Sequence, residues 1–191
     1  MKTINHDFHI IIIGGGVVGC AIARELSKYK IKIAVLEKED DVGWGTSCRN
    51  SGVVHAGFNN RPGTLMAKFC VEGNKSFEDL CHQLGVPYKK IGKLVVAQKK
   101  EELKDLQKLK QQGDANRVDN LQIIGLNELK RLEPNLVGIA ALYSPETAIT
   151  SPYLLTIALA ENALNNGASF FLNTEVKDIS RLDTVSYTHL R

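Results

Sequence analysis

The chain has 191 residues, 24 Lys and Arg against 21 Asp and Glu, a formal charge of +3, and 43% hydrophobic residues. That length supports a sizeable core in one or two domains of ordinary globular composition. The small charge, with lysines and acids interleaved as in Lys99-Lys100-Glu101-Glu102, excludes a nucleic-acid-binding stripe, and no run approaches the apolar length of a membrane span.

Phe8-His9-Ile10-Ile11-Ile12-Ile13 is short, β-branched and uncharged, and predicts a buried strand. A strand so near the start leaves no room for a signal peptide, and none is expected. The strand runs into Gly14-Gly15-Gly16-Val17-Val18-Gly19, a match to G-x-G-x-x-G, and a helix is predicted from Cys20 to Leu26. A second strand, Ile31 to Leu36, ends at Glu37. This order of strand, glycine turn, helix, strand and acid predicts a dinucleotide-binding βαβ unit. Gly14 permits the tight turn, Gly16 lets backbone amides approach a pyrophosphate, and Gly19 lets the helix lie close to the sheet. The first amides of that helix have no intrahelical partner and suit a phosphate, and Val17 and Val18 of the glycine turn are placed with Gly14, Gly16 and Gly19 at the cofactor. Glu37 lies about eighteen residues beyond Gly19, the spacing of an acid that accepts from ribose hydroxyls. An acid there disfavours a 2′-phosphate and so argues against NADP. On these residues alone, FAD and NAD remain alternatives.

A polar, turn-rich loop follows from Asp40 to Gly52 and flows into Val53-Val54-His55-Ala56-Gly57. A helix is predicted from about Thr64 to Leu84, with apolar residues at Leu65, Phe69, Phe77, Leu80 and Leu84, ended by Gly85-Val86-Pro87. Residues 88 to 150 change texture. Strands are predicted at Lys93–Ala97, Leu121–Ile124 and Ile139–Tyr143. A charged helix runs from Glu101 to Gln112 with Leu103, Leu106 and Leu109 inward and is broken by Gly113-Asp114. A shorter helix runs from Asn127 to Leu132. Ser151-Pro152 then opens a helix from Tyr153 to Leu164, with Ser151 as N-cap and Pro152 at the first position. Strands at Ala168–Leu172 and Glu175–Ile179 return the chain to the αβ pattern. Cys20, Cys48, Cys70 and Cys81 have no C-x-x-C spacing; they read as reduced thiols, Cys20 and Cys81 on buried helix faces, and no metal site is expected.

Three blocks carry a further signal: Arg49-Asn50-Ser51-Gly52-Val53-Val54-His55-Ala56-Gly57, Lys68-Phe69-Cys70-Val71-Glu72-Gly73 and Gly92-Lys93-Leu94-Val95-Val96-Ala97. Together they resemble the FAD-dependent oxidoreductases of the D-amino-acid oxidase superfamily. The resemblance is strongest to the branch of L-2-hydroxyglutarate oxidases and FAD-dependent glycerol-3-phosphate dehydrogenase-like proteins, and it extends to about Leu182. It implies FAD as cofactor. It implies an α/β fold: a Rossmann-like FAD-binding domain of the glutathione-reductase type with an inserted α+β substrate subdomain. The glycine loop would hold the pyrophosphate and Glu37 the adenosine ribose, with Lys38 a further cofactor-binding residue. Thr46, Ser47, Arg49, Asn50 and Ser51 would lie along the pyrophosphate and the flavin edge, supplying hydroxyls, amides and one cation.

His55 is the catalytic candidate that the resemblance offers. Members of this type pass hydride to the flavin while a base removes the hydroxyl proton, a role suited to histidine. A histidine packed beside the flavin, or one joined to it covalently, is the alternative. Arg61 and Met66 depart from the family pattern. The resemblance implies a small anionic substrate, a 2-hydroxy acid or polyol phosphate. An amino-acid oxidase, or a non-catalytic nucleotide-binding fragment, is the competing reading. The electron acceptor stays open among oxygen, a quinone and a partner flavoprotein; no nucleic acid and no transmembrane segment are expected. The location expected is cytoplasmic or peripheral to a membrane.

Family members are roughly twice this length, so the fold is expected to be truncated at the C-terminus. The expected organisation is residues 1–87 and 151–184 as two segments of an FAD-binding domain, 88–150 as part of a substrate subdomain, and 185–191 as a non-native tail outside the active site.

Overall fold

The computed structural model describes residues 7–182 and 185–190. In chain order the elements are β1 (Ile10–Ile13), α1 (Val17–Leu26), β2 (Ile33–Leu36), β3 (Val53–Val54), α2 (Leu65–Leu84), β4 (Tyr88–Lys90), β5 (Lys93–Ala97), α3 (Leu103–Ala115), β6 (Gln122–Gly125), α4 (Leu126–Leu132), β7 (Ala140–Ser144), β8 (Ala148–Thr150), α5 (Pro152–Asn165), β9 (Ser169–Phe171), β10 (Val176–Leu182) and β11 (Val185–Leu190). Among the described residues no helix is long and apolar enough to cross a membrane.

Two units share the chain. The first ends at Ser51, recovers Leu84–Val86 and resumes at Ser151; the second is Gly52–Gln83 with Pro87–Thr150. The chain therefore leaves the first unit at Gly52, earlier than the expected boundary at 87. The reason is long-range pairing. Val53 and Val54 pair antiparallel with Ile149 and Ala148, and the Asn74 side chain in α2 donates to the Glu146 carbonyl at 2.9 Å.

The first unit is a parallel sheet in the order β1-β2-β9, with Ile10 opposite Ile33 and Ala34 opposite Ser169. β2 is central, which explains why all four of its residues are buried. Ala23 of α1 and Ala163 of α5 pack with Ile33, Val35 and Ala168. Small side chains on both helices allow that close approach, and each fully buried Ile or Val contributes about 1.5–3 kcal/mol. Ser151 caps α5 as expected, accepting from the Leu154 N–H at 3.3 Å. β10 and β11 pair antiparallel, which places residues 185–190 in a strand; Arg191 falls outside the described residues.

The second unit holds two antiparallel three-stranded sheets, β3-β8-β4 and β5-β7-β6. Its main core gathers Phe58, Val71, Leu106, Leu121 and Leu142. One expectation is corrected here. α3 runs through Gly113 to Ala115, because that glycine is a packing position: a Cβ there would overlap Leu121 and sit 2.9 Å from Phe58 Cβ. On α2 the buried residues are Ala67, Val71 and Cys81, while Leu65 and Phe69 are exposed. Val71 lies so close to Gly57 that a Cβ on the glycine would be 2.7 Å from its Cγ2.

Candidate cofactor site

The site in the first unit is built around the turn from β1 into α1. Gly14 turns the chain at φ +104°, a conformation that L side chains rarely adopt, and its N–H donates to the Leu36 carbonyl at 2.8 Å. Gly16 occupies the N-cap position in an extended conformation and has no side chain to cap α1. Ser47 supplies the cap instead: its Oγ accepts from the Val17 N–H at 2.9 Å. The N–H groups of Val18 and Gly19 find no acceptor among the described residues, and the first turn carries no acid. Two open donors at the positive end of a helix form an anion site.

Three contacts hold the turn from below. The Gly15 N–H donates to Glu37 Oε2 at 2.6 Å. The Gly15 carbonyl accepts from the Gly43 N–H at 2.9 Å and from the Cys20 thiol at 3.3 Å. The second Glu37 oxygen accepts from the Glu39 N–H at 3.0 Å, and the residue is only 9% exposed. Glu37 is thus a brace for the glycine turn as well as the acid expected at the ribose. A carboxylate has about four lone-pair directions, so two remain for a ligand. Burial, then the charges of Glu37 and Cys48, pushes the Cys20 thiol up to about 12, so it stays protonated and is no nucleophile.

Above the turn, Thr46–Cys48 form a short 3-10 turn whose Thr46 carbonyl accepts from the Arg49 N–H at 3.2 Å. The Arg49 guanidinium lies 5.5 Å from the centre of the Trp44 ring. The Asn50 amide donates to the carbonyls of Thr46 at 3.1 Å and Ser47 at 2.8 Å, so it shapes the loop. Lys38 pairs with Glu39 at 3.5 Å across an exposed surface, a contact of little energetic weight.

A cleft of about 800 Å3 brings together Gly14, Gly16, Val17, Val18, Gly19, Glu37, Lys38, Thr46, Ser47 and Arg49. Asn50 and Ser51 belong to the same unit but do not line it. Trp44, Glu39 and Ile22 do line it and were missed by sequence reasoning. The signal for Trp44 was present: a lone tryptophan in a polar loop, 47% exposed. These residues fit a dinucleotide pyrophosphate. The cradle at Gly16 is one that a Cβ would narrow, at 3.1 Å from Ser47 Oγ.

His55 lies in the second unit, just after β3, and is exposed. Its carbonyl accepts from the Cys70 thiol at 3.4 Å, and its side chain makes no hydrogen bond among the described residues. Partial burial and then the Lys93 charge lower its pKa from 6.5. Arg61 is exposed in the turn before α2, its carbonyl accepting from Thr64 Oγ1 at 2.8 Å.

The βαβ unit, its open helix terminus and its braced acid define a dinucleotide-dependent protein. The chain belongs to the DAO family, FAD dependent oxidoreductase, whose profile matches residues 9–189. It is 46% identical over 178 residues to a glycerol 3-phosphate dehydrogenase of Caloramator mitchellensis, covering 92% of this chain and 37% of that protein. It is 37% identical over 185 residues to an L-2-hydroxyglutarate dehydrogenase of Indibacter alkaliphilus, covering 96% of this chain and 46% of that protein. The fold matches the L-alpha-glycerophosphate oxidase of Mycoplasma pneumoniae with FAD bound, at TM-score 0.90 and 35% identity, over 95% of this chain and 49% of that one. The chain thus spans less than half the length of these relatives. Family membership resolves the choice that the glycine motif left open: the cofactor is FAD.

Proposed function

We propose that the whole protein is an FAD-dependent dehydrogenase or oxidase that oxidises a small anionic 2-hydroxy acid or polyol phosphate. L-2-hydroxyglutarate and glycerol 3-phosphate are the candidate substrates, named by the activities of the relatives. The FAD part of the reading is carried by the open, braced helix terminus, with Val18 and Gly19 N–H unpaired among the described residues and Glu37 and Ser47 holding the turn; the substrate part is supported by the relatives' names. When bound, FAD supplies the hydride acceptor. Gly14, Gly16, Val17, Val18 and Gly19 form the pyrophosphate cradle. Glu37 accepts from a ribose hydroxyl with Lys38 beside it. Thr46, Ser47 and Arg49 offer hydroxyls and a cation to the phosphates, Asn50 shapes the loop through the Thr46 and Ser47 carbonyls, and Ser51 is a further candidate contact at the loop end. The electron acceptor is oxygen, a quinone or a partner flavoprotein. The test is anaerobic mixing of the full-length protein with each candidate substrate. Loss of flavin absorbance with one of them is expected; a flavin reduced by an amino acid and by neither candidate would overturn the substrate class.

In this reading His55 takes the substrate hydroxyl proton. Its pKa lies below 6.5, so at neutral pH the ring is uncharged and a nitrogen is available to accept. The value of kcat/KM should therefore fall as pH drops through the lowered pKa, and the limb should vanish in His55→Ala. Lys93→Met should move the limb upward only part of the way, because burial is the larger cause. Stability carries the same sign: neutral His55 favours the folded state above 6.5, and that contribution is lost as pH falls through the folded value. An activity limb above 6.5 would remove His55 from this role.

A further inference from the structure

Helix α1 has a defect that its own sequence cannot repair. Its N-cap residue is Gly16, which has no side chain with which to cap the helix. A serine or aspartate at that position would cap the helix locally but bring a Cβ to 3.1 Å from Ser47 Oγ. The chain supplies the missing cap with a hydroxyl from thirty residues downstream, Ser47, at 2.9 Å from the Val17 nitrogen.

We propose that Ser47 is a positioning residue for the phosphate-binding turn: it caps α1 from outside the helix and sets which amides stay open to the cofactor. The bond to Val17 uses one of the first helical N–H groups, so Val18 and Gly19 are left as the donors that face a ligand. Ser47 is itself held by its own loop. Asn50 donates to its carbonyl at 2.8 Å, and the Cys48 N–H donates to the Gly43 carbonyl at 3.2 Å. The Gly43 N–H in turn donates to the Gly15 carbonyl at 2.9 Å. The loop 43–50 and the glycine turn are therefore joined at two points, Gly43 to Gly15 and Ser47 to Val17. No described residue accepts the Ser47 hydroxyl proton, which leaves it free to point into the cleft that Ser47 lines.

This inference rests on the reading that the FAD pyrophosphate lies at the α1 N-terminus. The test uses the full-length protein, with FAD removed and restored, and reads amide hydrogen exchange beside FAD affinity. In the FAD-free wild type, the Val17 amide should exchange more slowly than the Val18 amide, by about fivefold, the worth of one helix cap. Ser47→Ala should erase that difference and weaken FAD binding by about fivefold or more, while Ser47→Thr, which keeps the hydroxyl, should retain both. Equal exchange at Val17 and Val18 in the wild type overturns the proposal without any variant. So does a Ser47→Ala protein with unaltered Val17 exchange, even if its FAD affinity falls, since Ser47 would then act only as a direct ligand. A protein with a protected Val17 amide that binds no FAD would instead sink the reading of the site, not the cap.

Discussion

Gly19→Ala is expected to empty the protein of FAD and to cost the first unit about 3 kcal/mol. A Cβ at this position would overlap the Gly14 carbonyl oxygen and approach Ile12 Cγ2 to 3.3 Å. The obstacle on one side is backbone. No rotamer change relieves it, and α1 must move away from β1. That shift would loosen Ala23 from the core it forms with Ile33 and Val35 and would displace the Val18 and Gly19 amides. Denaturant unfolding of the full-length protein and its flavin absorbance after purification read the two effects separately. An alanine variant with the wild-type midpoint and full flavin content would show that the helix can shift at no cost.

Glu37→Ala should destabilise the protein even with FAD removed, by about 2–4 kcal/mol. The carboxylate accepts from the Gly15 N–H at 2.6 Å and the Glu39 N–H at 3.0 Å in a site that is 9% exposed. Its removal leaves the buried Gly15 N–H without an acceptor and frees the Glu39 N–H, which sits at a more exposed position. Glu37→Gln should fall between wild type and Ala, because one amide position sets a donor against a donor. Glu37→Asp is a methylene shorter and should lose one of the two bonds. The discriminating measurement is thermal or chemical unfolding of the FAD-free protein. A residue that served only the ribose would leave that stability unaltered and change FAD affinity alone.

The parts of this protein that could be read from the chain are those whose physics is local. The βαβ unit follows from an apolar run, a glycine turn and a helical segment within thirty residues. The structure adds only that α1 begins at Val17, three residues before the expected start, because Gly16 already has extended N-cap geometry. The α5 start was equally legible, since Ser151 and Pro152 act on their own first turn. The strands β3, β4 and β8 were not legible. Each has only two or three residues, and each exists through partners far away: Val53 opposite Ile149, Tyr88 opposite Thr150. The same pairing decides that α2 and its neighbours belong to the second unit, a boundary invisible to composition. Gly113 misled for a related reason. In sequence it resembles a helix end, and in space it is the point where α3 meets Leu121 and Phe58.

The candidate site divides the same way. Residue types and spacing by themselves determined a phosphate-binding turn, an acid at the end of the second strand and a polar loop beyond it. Only the tertiary structure decided what each of them does for the others: that Glu37 spends both oxygens on backbone N–H groups, that Ser47 caps a helix to which it does not belong, and that Trp44 stands under Arg49 at the rim. Helical period and turn preference act over a few residues and leave their mark on composition. A hydrogen bond between Ser47 and Val17 depends on where the fold brings two distant segments, and no local pattern records that distance.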